Sequence, residues 1–370
     1  MAAELTMSRR IRRTAYTDKV EGVGVTGFSV VNHMILPKSF QSSIEEDYWH
    51  LKEHVQLWDV SCQRQIQIVG LDATRLVQLM TPRDIGAMKI GECIYVPIID
   101  HNAGLINDPV LLKISSEKYW LSIADSDLLL YALGLTIGLK LNAVVSEADV
   151  WVLSIQGPKA EDLVADLFGS KIRKIGFFKF DWVNFKGTNQ LLARSGYSRQ
   201  GGFEIYLEGK YLGSDLWDLI WEAGQIYNIR PGAPNIIERV EGGLFSYGNE
   251  MTRDNNPLEI GLRKFCSLDG SIDYIGREAL QKIASEGETQ QLRGMIFDGP
   301  RCPTCAEPWP VLLNGEKIGQ LTSGMYSPSL KANVAVGMIA RDFWDYKGAV
   351  EINCLDSLKR NGIISAFPLK

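Results

Sequence analysis

The sequence lacks an excess of positive charge and a long apolar segment. Its 370 residues carry 39 Lys and Arg against 44 Asp and Glu, a net charge of −5, which argues against nucleic acid as the main partner. The longest apolar run, residues 128–139, has two glycines in twelve residues, whereas a membrane-spanning helix needs about twenty apolar residues. We therefore expect neither a nucleic-acid-binding protein nor a membrane protein.

Cysteine and histidine are too few and too scattered to predict a metal site. Of six cysteines only Cys302 and Cys305 form a CxxC pair, and no second pair or nearby histidine completes four zinc ligands. The surrounding prolines indicate a loop there, whereas a redox CxxC normally opens a helix. His50 and His54 have helical spacing without the glutamate of an HExxH motif. We expect reduced, structural cysteines and no bound metal.

The N-terminal segment is basic without resembling a secretory signal. Four arginines lie between residues 9 and 13, but no apolar stretch follows them. A transit peptide or a nucleic-acid-binding arm stays open, although acidic residues interrupt the segment, and an arm packed on the body is the preferred interpretation. A cytoplasmic location is the default expectation.

The chain is too long for one compact core and predicts several domains. Residues 56–145 and 150–245 each mix strands with helices, which favours an α+β architecture. Beyond residue 288, short strands follow one another with little helix, as in a small β-barrel. We place a boundary near residues 270–288, where residues 284–288 are interpreted as a linker.

Residues 44–58 are predicted to form one helix, which ends at the candidate site residue Trp58. Tyr48, Leu51, Val55 and Trp58 recur at helical spacing. On this interpretation Trp58 closes the helix.

Residues 194–207, RSGYSRQGGFEIYL, combine a glycine-rich turn with an alternating strand. One face of this strand is apolar and carries Phe203, Ile205 and Leu207. Glu204 and Tyr206 then lie side by side on the other face. A strand after a Gly-Gly turn can hold an acid and a phenol rigidly beside a loop that approaches a ligand closely. The alternative is an ordinary, half-exposed hairpin strand.

Asp108 is a second candidate, because it interrupts an apolar strand next to Pro109. Its carboxylate is either capped by backbone amides or reserved for a ligand. Tyr95, Glu204 and Tyr206 could converge with it. Two acids also suggest a glycosidase pair, but aromatic surroundings suit a flat heterocycle better.

Five motifs, in order and spread over nearly the whole chain, resemble the glycine cleavage T-protein, or aminomethyltransferase, family. They are residues 102–108 (NAGLIND), 196–206 (GYSRQGGFEIY), 239–243 (RVEGG), 257–262 (PLEIGL) and 319–328 (GQLTSGMYSP). Three further segments resemble more closely the branch of that family that demethylates dimethylsulfoniopropionate with tetrahydrofolate. They read SRRIRRTAYT, DYWHLKEHVQLWDVS and GLINDPV.

The resemblance implies an α+β fold with three domains in a cloverleaf around a central folate site. A discontinuous folate-binding domain would comprise residues 1–55 and 146–270. A second α+β domain, residues 56–145, would carry Asp108, and residues 288–370 would form a C-terminal β-barrel. Tetrahydrofolate would be the methyl acceptor.

The resemblance also assigns roles to individual residues. Asp108 matches the essential aspartate near the reactive pterin nitrogens, Glu204 the glutamate that binds the pterin ring, and Tyr197 an aromatic wall. Further folate-binding positions are Tyr95, Ser122, Phe178 and Tyr206, with Arg239 as a candidate for the folate tail. A sulfonium substrate is expected to face Tyr206, Tyr95 or Trp58 by cation–π contact, although Trp58 is equally well explained as a core residue.

Departures from the family pattern point to the substrate. Pro109 stands where aminomethyltransferases usually carry a second acid, and Cys62 and Gln63 replace a histidine and a methionine. The family's strand asparagine is absent from residues 121–124. These changes argue against a lipoyl-bound aminomethyl substrate. The expected activity is methyl transfer from dimethylsulfoniopropionate to tetrahydrofolate.

Two other functions stay open. One is that of an aminomethyltransferase or another folate-dependent one-carbon transferase, and the other is that of a non-enzymatic folate-binding protein of the same fold. The KGC-type cysteine motif of the latter is absent from the sequence. The oligomeric state is not determined by the sequence, and a homodimer is one option.

Overall fold

The computed structural model describes residues 8–369, which divide into two compact units. The first unit contains the chain up to Ala73 together with Met88–Ile94 and Val110–Pro234. The second contains Thr74–Ala87, Tyr95–Pro109 and the chain from Asn235 onward. Each unit is therefore assembled from separated segments of the sequence. The domain limits inferred from the resemblance stay a prediction.

A six-stranded sheet forms the centre of the first unit. Its strands, in spatial order, are Phe180–Phe185, Thr188–Ala193, Gly202–Glu208, Val150–Gln156, Val55–Asp59 and Ile229–Gly232. All neighbours are antiparallel except the last pair. Leu163 of helix Ala160–Phe168 and Ile220 of helix Gly213–Gly224 pack on one face, in the same core as Ile205. Burial of this apolar face is the main force holding these helices in place.

The other face of that sheet shares a core with a second, five-stranded antiparallel sheet. The second sheet is ordered Val144–Glu147, Gln65–Val69, Lys118–Ser122, Val110–Ser115 and Cys93–Tyr95. Trp58, Trp120 and Tyr206 are fully buried in this shared core. The unit is completed by helices Thr17–Gly22, Ile44–Glu53 and Leu128–Gly138, the hairpin Gly27–Val31 with Met34–Ser39, and 3-10 turns Ser170–Lys174, Lys210–Leu212 and Gln225–Tyr227.

The second unit contains a closed β-barrel. Its strands are ordered Gln290–Phe297, Ala332–Ala340, Glu316–Ser327, Trp309–Leu313, Val350–Asn353 and Lys359–Ser365. Met295, Trp309 and Ile339 fill the barrel core. The remaining elements are helices Ala73–Met80 (from Thr74 onward in this unit), Ile236–Gly242 and Arg277–Glu286, the short pair Ile98–Ile99 with Leu105–Asn107, and the 3-10 turn Arg263–Phe265. The predicted C-terminal β-barrel is confirmed.

Two predictions of secondary structure are wrong. Residues 44–58 form a helix only as far as Glu53, and Val55–Asp59 is a strand buried at every position. A strand buried on both faces has no polar alternation, so its apolar spacing also fits a helix. Residues 284–286 are not a linker but the last residues of helix Arg277–Glu286, whose only fully buried side chain is Leu280. Ala279, Leu280, Ile283 and Ala284 recur at helical spacing and pack in one core, so the sequence did carry the signal of this helix.

Within residues 8–369 no helix is long and apolar enough to cross a membrane. All six cysteines lie in this part of the chain and none forms a disulfide. The same residues contain no group of three or more potential metal ligands.

Candidate functional site

The strand Gly202–Glu208 presents Glu204 inside the first unit. Phe203, Ile205 and Leu207 pack in the core with the helices, whereas Tyr206 lies in the core between the two sheets. The predicted division into an apolar and a polar face is therefore confirmed. The strand is buried on both faces, which excludes the half-exposed hairpin.

The turn before this strand requires glycine at two positions. Gly196 and Gly202 have φ of +150° and +144°, where residues with a side chain are strained. A Cβ on Gly196 would lie 2.1 Å from the Gln156 side chain, and one on Gly202 would lie 2.2 Å from the carbonyl oxygen of Ile155. The close approach lets Gln156 Nε2 donate to the Ser195 carbonyl oxygen at 3.1 Å. The turn is thus fixed to the neighbouring strand.

Glu204 is buried, with 5% of its surface exposed. Its Oε2 accepts a hydrogen bond from Ser195 Oγ at 2.5 Å. Burial raises the pKa of Glu204, and hydrogen bonds from Ser195 and Tyr206 oppose the rise. A buried carboxyl group held this way is suited to accept N–H donors from a polar ligand.

Tyr206 and Ser122 form a hydrogen-bonded pair next to Glu204. Burial raises the pKa of Tyr206 well above its ordinary value, so the phenol is neutral, and its hydroxyl is bonded to Ser122. The Tyr206 ring stacks on Trp120, with centroids 6.4 Å apart. Ser122 Oγ accepts from Gln65 Nε2 at 2.9 Å and donates to Gln63 Oε1 at 3.2 Å. Gln63, one of the departures from the family pattern, therefore bonds directly to a predicted site residue.

Phe178 and Tyr197 pack half-buried around the same core, and Trp58 lies inside it. The Phe178 carbonyl oxygen accepts a hydrogen bond from the Cys93 backbone N–H at 2.8 Å. The Trp58 indole N–H donates to Gln56 Oε1 at 2.9 Å, and the ring is fully buried. Trp58 thus takes the position of a core residue, on a strand rather than at the end of a helix.

Asp108 lies in the second unit, directly after strand Leu105–Asn107. Its surface is 9% exposed, and its Oδ2 accepts a hydrogen bond from the Tyr95 hydroxyl at 2.8 Å. Its Oδ1 is buried without a hydrogen-bond partner among the described residues. Burial raises the pKa of Asp108 to about 7, with a smaller contribution from the negative charge of Glu250, while the Tyr95 hydrogen bond opposes the rise. A buried oxygen without a partner is costly, so Asp108 keeps the capacity to accept one more hydrogen bond.

Neighbouring residues hold Asp108 and Tyr95 in place. The Tyr95 ring lies edge-on to Phe265 with centroids 5.9 Å apart, and Arg83 donates to the Tyr95 carbonyl oxygen at 2.5 Å. The Tyr247 hydroxyl donates to the Leu105 carbonyl oxygen at 2.8 Å. These contacts fix both segments from which the hydrogen-bonded pair arises.

Arg239 is buried in the second unit and bonded there on two sides. Its Nη1 lies 2.7 Å from Glu250 Oε2, and its Nη2 donates to Ser323 Oγ at 2.5 Å. The backbone N–H of Ser246 also donates to Glu250 Oε2, at 2.7 Å. The guanidinium therefore neutralises a buried carboxylate, and a role toward the folate tail stays a prediction.

Sequence reasoning missed Ser195, Gln156 and Glu250. Ser195 directly precedes the glycine turn, so its closeness to Glu204 could have been inferred from a hairpin. Gln156 and Glu250 carry no local signal, because their partners are distant in sequence.

Comparison with known proteins gives two family matches along the chain. The GCVT N-terminal domain matches residues 17–270, and the glycine cleavage T-protein C-terminal barrel domain matches residues 290–368. The dimethylsulfoniopropionate demethylase DmdA of Ruegeria pomeroyi is 46% identical over 357 residues, 96% of this chain and 97% of that protein. An aminomethyltransferase of Thermoanaerobacter sp. is 32% identical over 332 residues, 86% of each chain.

A solved structure shares the fold. The glycine cleavage system aminomethyltransferase T from Bartonella henselae matches with a TM-score of 0.85 and 21% identity, over 97% of this chain and 98% of that one. The α+β fold of that family is therefore confirmed. The chain belongs to the glycine cleavage T-protein family.

Proposed function

We propose that this protein transfers a methyl group from dimethylsulfoniopropionate to tetrahydrofolate. The products are 3-methylthiopropionate and 5-methyltetrahydrofolate. Identity to the demethylase of Ruegeria pomeroyi is 46% over nearly the whole chain, against 32% to an aminomethyltransferase. The structural observation that supports the proposal is the Asp108 carboxyl group: one oxygen accepts a hydrogen bond from Tyr95, and the other is buried without a partner among residues 8–369.

The residues fit a reduced pterin. A pterin has N–H donors along one edge and flat faces, so it needs buried acceptors and aromatic walls. Glu204 supplies a buried carboxyl group in the first unit. Phe178 and Tyr197 supply half-buried rings in the first unit. We propose that Glu204, Phe178 and Tyr197 bind tetrahydrofolate.

Asp108 is the proposed catalytic residue. Bound tetrahydrofolate supplies a secondary amine, whose lone pair takes the methyl group while the carbon–sulfur electron pair stays on sulfur. Asp108 Oδ1 accepts a hydrogen bond from that amine, stabilises the positive charge that passes to the nitrogen, and takes its proton. A pKa of about 7 suits a base that works near neutral pH. The Tyr95 hydroxyl donates a hydrogen bond to Oδ2 and thereby fixes the orientation of Oδ1.

The leaving group needs no acid from the protein. A sulfonium already carries the positive charge, and the thioether that leaves is neutral. Catalysis then rests mainly on orientation, which is worth up to roughly 7–11 kcal/mol in well-positioned systems. Of the aromatics predicted for the sulfonium, Tyr206 and Trp58 are buried and Tyr95 is exposed in part. We therefore propose Tyr95 for the cation–π contact.

A cytoplasmic location and small-molecule partners complete the proposal. Cysteines without disulfides are usual in the reducing cytoplasm, and none of the six cysteines forms one. Light scattering of the purified protein would decide whether it is a homodimer.

The aminomethyltransferase alternative has less support. Pro109 follows Asp108 where those enzymes usually carry a second acid, and Gln63 occupies the hydrogen-bonding position beside Ser122. A non-enzymatic folate-binding protein would bind folate without transferring methyl groups.

The variant Asp108→Asn tests this mechanism. It keeps the size of the side chain and an acceptor for Tyr95, but it cannot take a proton. We expect turnover to fall by about 100-fold or more while tetrahydrofolate still binds. Formation of 5-methyltetrahydrofolate, measured by mass spectrometry, gives the rate, and calorimetry gives the binding. Full activity of the variant would contradict the mechanism.

A further inference from the structure

Helix Leu128–Gly138 of the first unit is apolar on its exposed side. Its sequence, LLLYALGLTIG, contains no charged residue. Only Leu128 and Ala132 are buried, whereas Leu130 is 66% exposed and Ile137 is 75% exposed. A helix on the surface of a monomeric protein normally carries charged and polar residues on its outer side. An apolar outer side is typical of a surface that a protein partner covers.

Two glycines lie exposed on the same helix. Gly134 and Gly138 are about one turn apart, and a Cβ on either would meet no atom within 4 Å among residues 8–369. Neither glycine has a positive φ, so neither its backbone conformation nor crowding within the described chain requires glycine. Glycine weakens a helix, but it allows a second helix to approach the backbone closely. The glycines therefore suit contact with another helix.

Opposite charges flank the apolar segment. Asp127 directly precedes the helix and Lys140 closely follows its end, and both residues are exposed. Neither side chain forms an ion pair with another residue of the described range, 8–369. If two copies of this helix pair antiparallel, Asp127 of one copy lies near Lys140 of the second copy. This attraction occurs at both ends of the pair, whereas parallel pairing would bring like charges together.

The apolar residues between these charges match in the same antiparallel register. A two-fold axis between positions 133 and 134 brings Leu130 of one copy opposite Ile137 of the second copy. The half-buried Leu133 then lies opposite Gly134 of the second copy, where there is space for its side chain. Each contact forms twice, because a two-fold interface uses the same surface on both copies. The exposed side of the helix is therefore complementary to itself.

We propose that helix Leu128–Gly138 is a homodimer interface, in which two copies of this protein pair their helices antiparallel about a two-fold axis. The helix has 11 residues and is about 16 Å long, so the shared face is smaller than the roughly 800 Å² that each partner buries in a standard interface. The dimer should therefore be weak, with a dissociation constant of about 1–100 µM. No residue of this interface belongs to the proposed folate site, so the interface is independent of the proposed function.

Sedimentation equilibrium of the purified protein, at concentrations on both sides of that dissociation constant, tests the interface. The wild type should change from one chain to two as the concentration rises. Ile137→Glu introduces a carboxylate into the apolar contact twice per dimer and should raise the dissociation constant by about 100-fold or more. Circular dichroism shows whether the variant is folded, which we expect because the side chain is exposed.

Ile226→Glu is the matched control. It makes the same change at an isoleucine of the first unit that is 81% exposed and lies outside the helix. The dissociation constant of the dimer should equal that of the wild type.

Reversal of the flanking charges tests whether the partner is a second copy. Asp127→Lys alone and Lys140→Asp alone each bring like charges together at both ends of the pair. Each variant should raise the dissociation constant by about five- to tenfold at low salt. In an equimolar mixture of the two variants, the mixed dimer again has opposite charges at both ends. Its dissociation constant should return to that of the wild type.

Three results would overturn the inference. The first is a wild-type protein that stays monomeric at all these concentrations, in which case the apolar side of the helix belongs to a different protein partner. The second is a dimer that forms equally well in Ile137→Glu. The third is a mixture of the two charge variants that associates no more tightly than either variant alone.

Discussion

The substitution Asp108→Asn should remove a pH dependence of stability as well as activity. In the folded protein the pKa of Asp108 is raised to about 7, mainly by burial, whereas an aspartate in an unfolded chain has a pKa of about 3.9. Between these values the folded state holds a proton that the unfolded state has lost. The contribution of Asp108 to stability is therefore full below about pH 4 and is lost as the pH rises through about 7.

The size of the effect follows from the two pKa values. One pKa unit corresponds to about 1.36 kcal/mol, and about two units of the difference lie between pH 5 and pH 8. The wild type should therefore lose about 2–3 kcal/mol more than Asp108→Asn over this range. Asparagine does not titrate. Other buried acids, such as Asp59 with its pKa raised by burial to about 6, are present in both proteins and cancel.

Urea unfolding followed by tryptophan fluorescence measures this difference, since the chain has nine tryptophans. Wild type and Asp108→Asn are compared at both pH values. The control is Asp181→Asn, which changes an exposed aspartate. The same pH dependence in the wild type and in Asp108→Asn, to within about 0.5 kcal/mol, would refute the buried, high-pKa carboxyl group.

Three further predictions concern the residues around the two carboxyl groups. Tyr95→Phe removes the hydrogen bond that lowers the pKa of Asp108, so the rise of kcat/KM with pH should move up by about one pH unit; an unmoved profile would contradict the role of Tyr95. Glu204→Gln removes a charged acceptor and should raise the calorimetric Kd for tetrahydrofolate by about 10- to 100-fold, and unchanged affinity would exclude Glu204 from the folate site. Arg239→Met leaves the carboxylate of Glu250 buried without its partner and should lower the free energy of unfolding by about 3–5 kcal/mol, most of which Arg239→Met/Glu250→Gln should restore; equal stability of the two variants would contradict the buried pair.

Sequence patterns predicted the structure correctly where residues close together in the sequence determine it. The alternation of residues 203–207 predicts the two faces of strand Gly202–Glu208, because a strand has a period of two. Pro109 likewise predicts the interruption between Leu105–Asn107 and Val110–Ser115. In both places the residues of one short segment are sufficient to predict its local structure.

Contacts between residues far apart in the sequence determine the parts of the fold that were not predicted. Val55–Asp59 is a strand because it pairs with Val150–Gln156 and Ile229–Gly232, which lie about a hundred or more residues away in sequence. Its apolar spacing alone fits a helix equally well. Residues 89–92 and 171–181 are likewise neighbours in space, since the Phe180 backbone N–H donates to the Gly91 carbonyl oxygen. No local pattern reports such pairings, because chain entropy and long-range packing select them.

The hydrogen-bond partners of buried polar groups also could not be predicted from the sequence. Glu250 bonds Arg239 and Ser323, so Arg239, predicted only as a candidate for the folate tail, is the partner of a buried acid. That Asp108 Oδ1 has no partner in the described part of the chain follows only from its burial and the Tyr95 contact. Residue type predicted the candidates, and three-dimensional contacts distinguish those with free bonding capacity.

The most direct test of the proposed function is the identity of the methyl donor. Purified protein and tetrahydrofolate are incubated separately with dimethylsulfoniopropionate, glycine betaine and dimethylglycine, and 5-methyltetrahydrofolate is quantified. The account predicts methyl transfer from the sulfonium alone, with one 3-methylthiopropionate formed for each 5-methyltetrahydrofolate. No transfer from dimethylsulfoniopropionate by a protein that binds tetrahydrofolate would contradict it.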